Sequence, residues 1–444
     1  MNDTGQRLSI WTAKSQLTYE KPLEPGDPLF VDTAPARGDF NLKNLYRQLN
    51  VDNQGVLHTP SRKQYILFTG HRGCGKSTEL LRVAKYLNDP GRYYVIHLDC
   101  LTKLDINNLR YSDVLLAVAA ALLERMEHED RITVESVFLD KINNWFKERV
   151  ITHARLKNLE IELKAGARVE AGLPWLAKLF GEMTNKIGTG STYREELREV
   201  VRNSFSELAG SFNQFIRAAE DKISQRNLGQ RILFTVDGTD RLNAEDAHKF
   251  FVEDVHQLTQ LESLFIYCAP IHLLHADNQL NASFNLTFRV PMLKIRDRDN
   301  QPLAAHYAIM RELAWKRVPS YLFETPETLD LLICYSGGHP RDLLRLLNVA
   351  INHADDELIN YRAAEKAVQD VANDYRRLVD SKDYTQLVWI DQHPDIAPDE
   401  VNNEKTVRML YNLILLEYNN YFWKSHPVIT TLQGYRKALQ DSAD

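Results

Sequence analysis

The stretch GHRGCGKSTEL, Gly70–Leu80, decides how the rest of the chain is read. Gly70 and Gly75 stand five apart with Lys76 and Ser77 behind them, which fits G-x-x-x-x-G-K-[ST]. Upstream, QYILFTG is a compact apolar strand that ends on Gly70. Downstream, Leu80, Leu81, Val83, Ala84 and Leu87 form one helical face. The loop therefore joins a strand to a helix, the context in which such glycines cradle phosphate. Glycines let backbone N–H groups converge on phosphate oxygens, and the helix start adds its positive end. Gly70, Arg72, Gly73, Cys74, Gly75, Lys76, Ser77 and Thr78 make up the candidate binding loop. In it Lys76 serves the outer phosphates, Ser77 a Mg²⁺ ion and Thr78 the inner phosphate. The competing reading is a plain glycine-rich turn, which the flanking strand and helix disfavour.

A divalent ion on such a loop needs a second anchor at a neighbouring strand end. RILFTVDGTDRL supplies one, with Asp237 closing an apolar run. Ser77 and Asp237 are thus the candidate metal residues. Asp240 and Glu245 are candidates for orienting a water; Asp240, three positions past Asp237, is placed to face the outermost phosphate. A third stretch, YSGGHPRDLLRLL, breaks a helix at Gly337–Gly338 and starts another at Pro340. Arg341 then stands near a helix start, either aimed at the phosphates or held in a surface ion pair.

Around these motifs, RYYVIHLDC and SLFIYCAP read as further buried strands, and FRVPMLKI as one more. YSDVLLAVAAALLERMEH and AEDAHKFFVEDVHQLTQL read as helices, the first capped by Ser112 or Asp113. Strands alternating with helices predict an α/β fold with a mostly parallel sheet covered on both faces. The proline-rich stretch from Pro22 to Pro35 excludes regular helix there, so residues 1–60 read as an arm and a short helix. Residues 61–300 read as the core, with an inserted segment at about 129–228. Within that segment LEIELKAGARVEAGL alternates with period two, and STYREELREVV opens a helix with Thr192 and Glu195 placed as a capping box. Residues 301–379 are helical. Residues 380–444 read as a helix running into a hairpin about Asn419–Asn420, a winged-helix-like unit.

Bulk properties set the limits. The 444 residues are 44% hydrophobic, ample for several cores. A net charge of -6 argues against nucleic-acid binding by overall charge. The cysteines at 74, 100, 268 and 334 are scattered, which argues against zinc and against a disulfide framework and for a reducing, cytoplasmic setting. Cys74 reads as a small filler of the loop, with an oxidisable thiol as the alternative. The start MNDTGQRLSI is polar, and Val114–Leu123 is too short an apolar run for the roughly 20 residues that a span requires. No membrane partner is expected.

Taken in order, GHRGCGKST, LFTVDGTDRL and SGGHPRDLLRLL resemble AAA+-related P-loop ATPases, and within them the initiator-like and signal-transduction (STAND) branch. The resemblance covers about residues 60–380. It implies a P-loop NTPase core followed by an α-helical lid and a winged-helix domain, with ATP and Mg²⁺ bound between sheet and lid. It further implies that Asp237 holds the metal indirectly, that Arg341 senses the outermost phosphate and that Pro340 lies against the adenine. Lys76, Asp237, Asp240 and Arg341 form the implied catalytic set. An arginine from a neighbouring subunit often completes such a site; Arg289 and Arg296 are candidates that no motif in the sequence supports. The chain departs from the common pattern at Gly238, where many relatives carry Glu, which implies slow hydrolysis. The leading expectation is an ATP-dependent switch that controls self-assembly into a homo-oligomer or engagement of a separate effector protein. A place in bacterial anti-phage defence follows by analogy. The alternative is origin-initiator-like DNA binding or loading. Asp399, Glu400, Glu404 and Glu417 beside Arg408, Lys424, His426, Arg436 and Lys437 disfavour that alternative.

Overall fold

The computed structural model describes residues 8–146, 148–149, 176, 179–184, 191–276, 280–355, 357–394, 404–419 and 422–443. The chain opens with α1 (Ile10–Gln16), a helix not anticipated in the arm, and α2 (Leu42–Gln48). The core then runs β1 (Gln64–Gly70), α3 (Lys76–Leu87), β2 (Tyr93–Asp99) and α4 (Tyr111–Glu124). Next come α5 (Ser136–Phe146), α6 (Ser191–Asn203) and α7 (Phe205–Gln225). Then follow β3 (Arg231–Asp237), β4 (Leu264–Pro270) and β5 (Leu286–Arg289).

All five strands are parallel, in the order β2-β3-β4-β1-β5. This is the α/β fold with a parallel sheet that the alternation of strands and helices predicts. β1 is interior, and β4 lies between it and the strand that ends on Asp237. The two strand ends that carry the site therefore open on the same edge of the sheet.

Strand periodicity builds the two faces. Tyr65, Leu67, Tyr94, Ile96, Phe234 and Phe265 point into one core, shared with α4 and α7. Their neighbours Ile66, Phe68, Tyr93, Val95, Leu233 and Ile266 point into another, shared with α2 and α3. Burial on both faces is why these strands read as continuous apolar runs rather than alternating ones.

The C-terminal half is helical: α8 (Ala304–Trp315), α9 (Pro326–Ser336), α10 (Pro340–His353) and α11 (Tyr361–Arg376). After them come α12 (Asp383–Gln392), α13 (Glu404–Tyr411), the antiparallel pair β6 (Leu415–Glu417) and β7 (Trp423–Ser425), and α14 (Gln433–Asp441). Apolar side chains from α8 to α14 share a third core with α1.

Some sequence expectations need correction. Helix α4 is capped at Arg110, and Asp113 serves from the third position by accepting the Arg110 N–H. The last sheet strand is Leu286–Arg289, ahead of the anticipated FRVPMLKI, because Pro291 has no N–H to continue a ladder. The helix anticipated over 244–261 is broken into Ala244–His248, a wide turn at Lys249–Glu253 and Val255–Leu258. Phe250 and Phe251 are both fully buried, and the wider turn brings two consecutive rings to one core. The alternating stretch 159–173, the side chain of Thr192 and Asn420 lie outside the described residues. Among the described residues no helix is long and apolar enough to cross a membrane.

Candidate nucleotide-binding site

The loop between β1 and α3 is shaped by glycine. Gly75 precedes α3 with φ +102, and a Cβ there would stand 3.3 Å from Arg37 Nη2. Gly73 has φ +89, and a Cβ there would meet the His339 ring at 2.8 Å and Arg341 Cβ at 3.0 Å. Only glycine takes this backbone and this closeness without strain. The start of α10 therefore lies directly on the loop. His339 Nε2 donates to Arg72 O (2.8 Å) while its Nδ1 lies 3.2 Å from the Asp342 backbone N, so the ring is held between the loop and the start of α10.

Lys76 is 3% exposed. Its ammonium donates to Gly70 O and His71 O, each at 2.8 Å, and stands 2.7 Å from Asp240 Oδ2. Burial alone would discharge both groups. Each instead holds the other charged, so the Lys76 pKa is raised and that of Asp240 lowered. Ser77 Oγ donates to Asp237 Oδ1 (3.1 Å), which also accepts the Gly238 N–H (2.8 Å). Asp99 stands in register with Asp237 on the adjacent strand.

These groups wall a cavity of about 320 Å³. Arg72, Arg241, Pro340 and Arg341 join Lys76, Ser77, Asp237 and Asp240 around it. Thr18–Leu23 and Leu29–Val31 of the arm close it, with Leu313, Arg317 and Leu344 from the helical half. The Arg341 pKa is lowered by burial and then by the charges of Arg241 and Arg72. Arg72, Arg241 and Arg341 with Lys76 thus form a cationic rim on the side of Asp237 and Asp240. The donor set fits a magnesium-bound triphosphate: a glycine cradle, a cationic rim, and a hydroxyl–carboxylate pair of hard oxygen ligands.

The structure brings together Gly70, Arg72, Gly73, Gly75, Lys76, Ser77, Asp237, Asp240, Pro340 and Arg341. Thr78 lines the same cavity, and its Oγ1 accepts the Leu23 N–H (3.1 Å). Cys74 is fully buried with Sγ 3.6 Å from Val290 O, the filler role. Glu245 is exposed, pairs with Lys249 and is absent from the cavity wall. Arg194 pairs with Asp105 at 2.9 Å. Arg289 lies 3.4 Å from Glu417, and Arg296 donates to Asn300 O and Cys334 Sγ.

Sequence reasoning missed Arg37. Its guanidinium, 2% exposed, donates to Thr33 Oγ1 (3.0 Å), Cys74 O (2.6 Å) and Pro291 O, and so braces the loop from behind. It also missed His71. That ring is buried and held neutral by burial and by nearby His339 and Lys76, and its Nε2 accepts the Glu417 N–H (2.7 Å). The Glu417 carboxylate in turn accepts from His275 Nε2 at 2.7 Å. The loop is therefore bonded to α10 through His339 and to β6 through His71. Neither contact has a spacing signature, because both cross more than 260 residues of chain.

No family model matches the chain, and no curated protein matches it. Among solved structures it is similar to the Walker-type ATPase PABY2304 of Pyrococcus abyssi, at 14% identity, covering 95% of this chain and 99% of that one, with a TM-score of 0.38. It is similar to Cdc6p from Pyrobaculum aerophilum at 9% identity, covering 97% and 99%, with a TM-score of 0.35. The Thermotoga maritima RuvB Holliday junction branch migration motor shares 10% identity over 92% and 98%, with a TM-score of 0.33.

Proposed function

We propose that the protein is an AAA+-related, STAND-like ATP-binding switch that hydrolyses ATP slowly. One observation carries this reading: Lys76, Ser77, Asp237, Asp240 and Arg341 meet on a single cavity whose walls come from the core, the arm and the helical half. Lys76 and the cationic rim bind and orient the phosphates. Ser77 and Asp237 hold Mg²⁺, which when bound would neutralise phosphate charge. Asp240 orients the attacking water and accepts its proton. Because Asp240 also pairs with Lys76, and Gly238 stands where a carboxylate commonly follows, turnover is slow. Arg341 reads the outermost phosphate from α10, and Pro340 lies against the base.

The state of the site reaches the lid (301–379) and the winged-helix-like unit (380–444) through His339 and His71. These parts in turn govern homo-oligomer formation or engagement of an effector protein. A role in antiviral defence in the cytoplasm rests on the resemblance alone.

The test is size exclusion with light scattering, with and without ATP and Mg²⁺. ATP is expected to change the mass or shape of the wild type. Lys76→Ala is expected to bind ATP at least about a hundredfold more weakly, since it leaves Asp240 and the phosphates without their buried cation, and to lose the change. Assembly that persists in Lys76→Ala sinks the switch.

A further inference from the structure

Asp99 also borders the nucleotide cavity, and the reading above gives it no task. It closes β2 in register with Asp237, the last residue of β3, so the two carboxylates stand on adjacent strand ends. Asp99 Oδ1 accepts the Leu101 N–H (2.9 Å) and so caps the short helix Cys100–Lys103. The residue is half-buried, and its Oδ2 stays accessible, with no hydrogen bond or ion pair among the described residues.

Gly238 keeps this carboxylate uncovered. It takes φ +86, and a Cβ there would stand 2.9 Å from Leu101 Cγ and 3.5 Å from Asp99 Oδ1, so a side chain at this position would crowd Asp99. Two residues on, Asp240 turns to Lys76 at 2.7 Å. Gly238 thus stands between two carboxylates that line one cavity, Asp240 with a cation and Asp99 without. A carboxylate without a cation is a poor neighbour for phosphate and a good acceptor for a neutral O–H. A water attacking phosphorus has two O–H bonds, and holding both turns its lone pair in line with the leaving oxygen. Asp240 accounts for one of them.

We propose that Asp99 is a second catalytic carboxylate, whose Oδ2 accepts the other O–H of the attacking water. The water oxygen bonds to the terminal phosphorus, the bond from that phosphorus to the bridging oxygen breaks, and ADP leaves with the electron pair. One proton passes to Asp240, and the O–H held by Asp99 departs with the inorganic phosphate. This rests on the nucleotide reading above and deepens it by naming a further residue of the same site.

The experiment measures phosphate release at saturating ATP and Mg²⁺, with calorimetric ATP binding, on the full chain. Asp99→Asn keeps the cap, since asparagine caps as well as aspartate, but turns the outer acceptor into a donor. It is expected to slow release at least about tenfold and to bind ATP no more weakly than the wild type. Asp99→Ala loses the cap as well and should melt lower; a residue that only caps would show a loss in the alanine variant and none in the asparagine one. Asp99→Asn combined with Asp240→Asn should lose well short of the product of the two single losses, because both carboxylates hold one water. The proposal is overturned if Asp99→Asn turns over as the wild type does, if it binds ATP more weakly, or if the two losses multiply. It is also overturned if Asp99→Asn needs more Mg²⁺ to bind ATP, which would put Asp99 on the waters of the metal. A wild type that binds ATP and releases no phosphate overturns it too, whereas one that does not bind ATP overturns the nucleotide reading beneath it.

Discussion

Lys76 and Asp240 illustrate why a buried ion pair in a binding site is informative. Two charges taken out of water gain little net stability, because their attraction is spent offsetting desolvation. In the function proposed above the ammonium of Lys76 is also the group that the loop offers to phosphate, so that Asp240, 2.7 Å away, would compete with a triphosphate for it. Asp240→Asn keeps the shape and removes the competing charge. It is expected to tighten ATP binding several-fold, by calorimetry, and to lower phosphate release at saturating ATP at least about tenfold, as loss of a positioned base does. Unchanged turnover would remove Asp240 from the chemistry; weaker binding would show that the pair organises the loop rather than competing with ligand. At this scale the motif residues were legible, because the spacing of Gly70, Gly75, Lys76 and Ser77 is local. Arg37 and His71 were not. Each acts through burial and a distant backbone carbonyl or N–H group, and the sequence around them carries no periodic sign of that.

Elements were legible wherever a single strong pattern governed them. Strands β1 to β4 announced themselves as apolar runs because both faces are buried, and α10 was announced by Gly337, with φ +62, and Pro340. Where two demands met, as with the paired buried rings of Phe250 and Phe251, the helical pattern was right in character and wrong in continuity. The same conflict marks the junction of the loop with α10. Gly73→Ala adds one methyl at a strained φ and against His339 and Arg341, so it should push α10 off the loop. Weaker ATP binding and a lower melting temperature together are the expected result, from titration and calorimetric unfolding; a silent variant would mean that the two elements are not held in this contact. His71→Ala tests the other junction. Removing the acceptor leaves the Glu417 N–H buried and unbonded, which costs on the order of 1–3 kcal/mol locally. Amides of β6 and β7 should exchange faster by mass spectrometry while those of β1 do not; equal exchange in variant and wild type would break the link between the loop and this strand pair.

At the scale of the whole molecule, histidines tie the parts together, and this gives stability a pH dependence with a definite sign. His71, His272 and His426 are buried, and burial holds each below the usual histidine pKa, with His272 lowered to about 4. The folded chain thus binds fewer protons at these groups than the unfolded chain between about pH 6.5 and 4. Stability is full above 6.5 and falls as pH drops. For His272 alone the loss by pH 5 is on the order of 2 kcal/mol, from its shift and the linkage relation. Asp254 works the other way. Burial raises its pKa to about 6, so its cost appears as pH rises from about 4 through 6. Asp254→Asn is therefore expected to raise the melting temperature at pH 8, by an amount that shrinks as pH falls through 6 and vanishes only below about 4. His272→Gln is expected to flatten the decline in melting temperature between pH 7.5 and 5, since glutamine has no proton to gain. If the decline keeps its slope in the glutamine variant, His272 is not among the groups that set it. If Asp254→Asn is no more stable at pH 8 than the wild type, its carboxylate is already compensated by Arg110, the nearest opposing charge in effect.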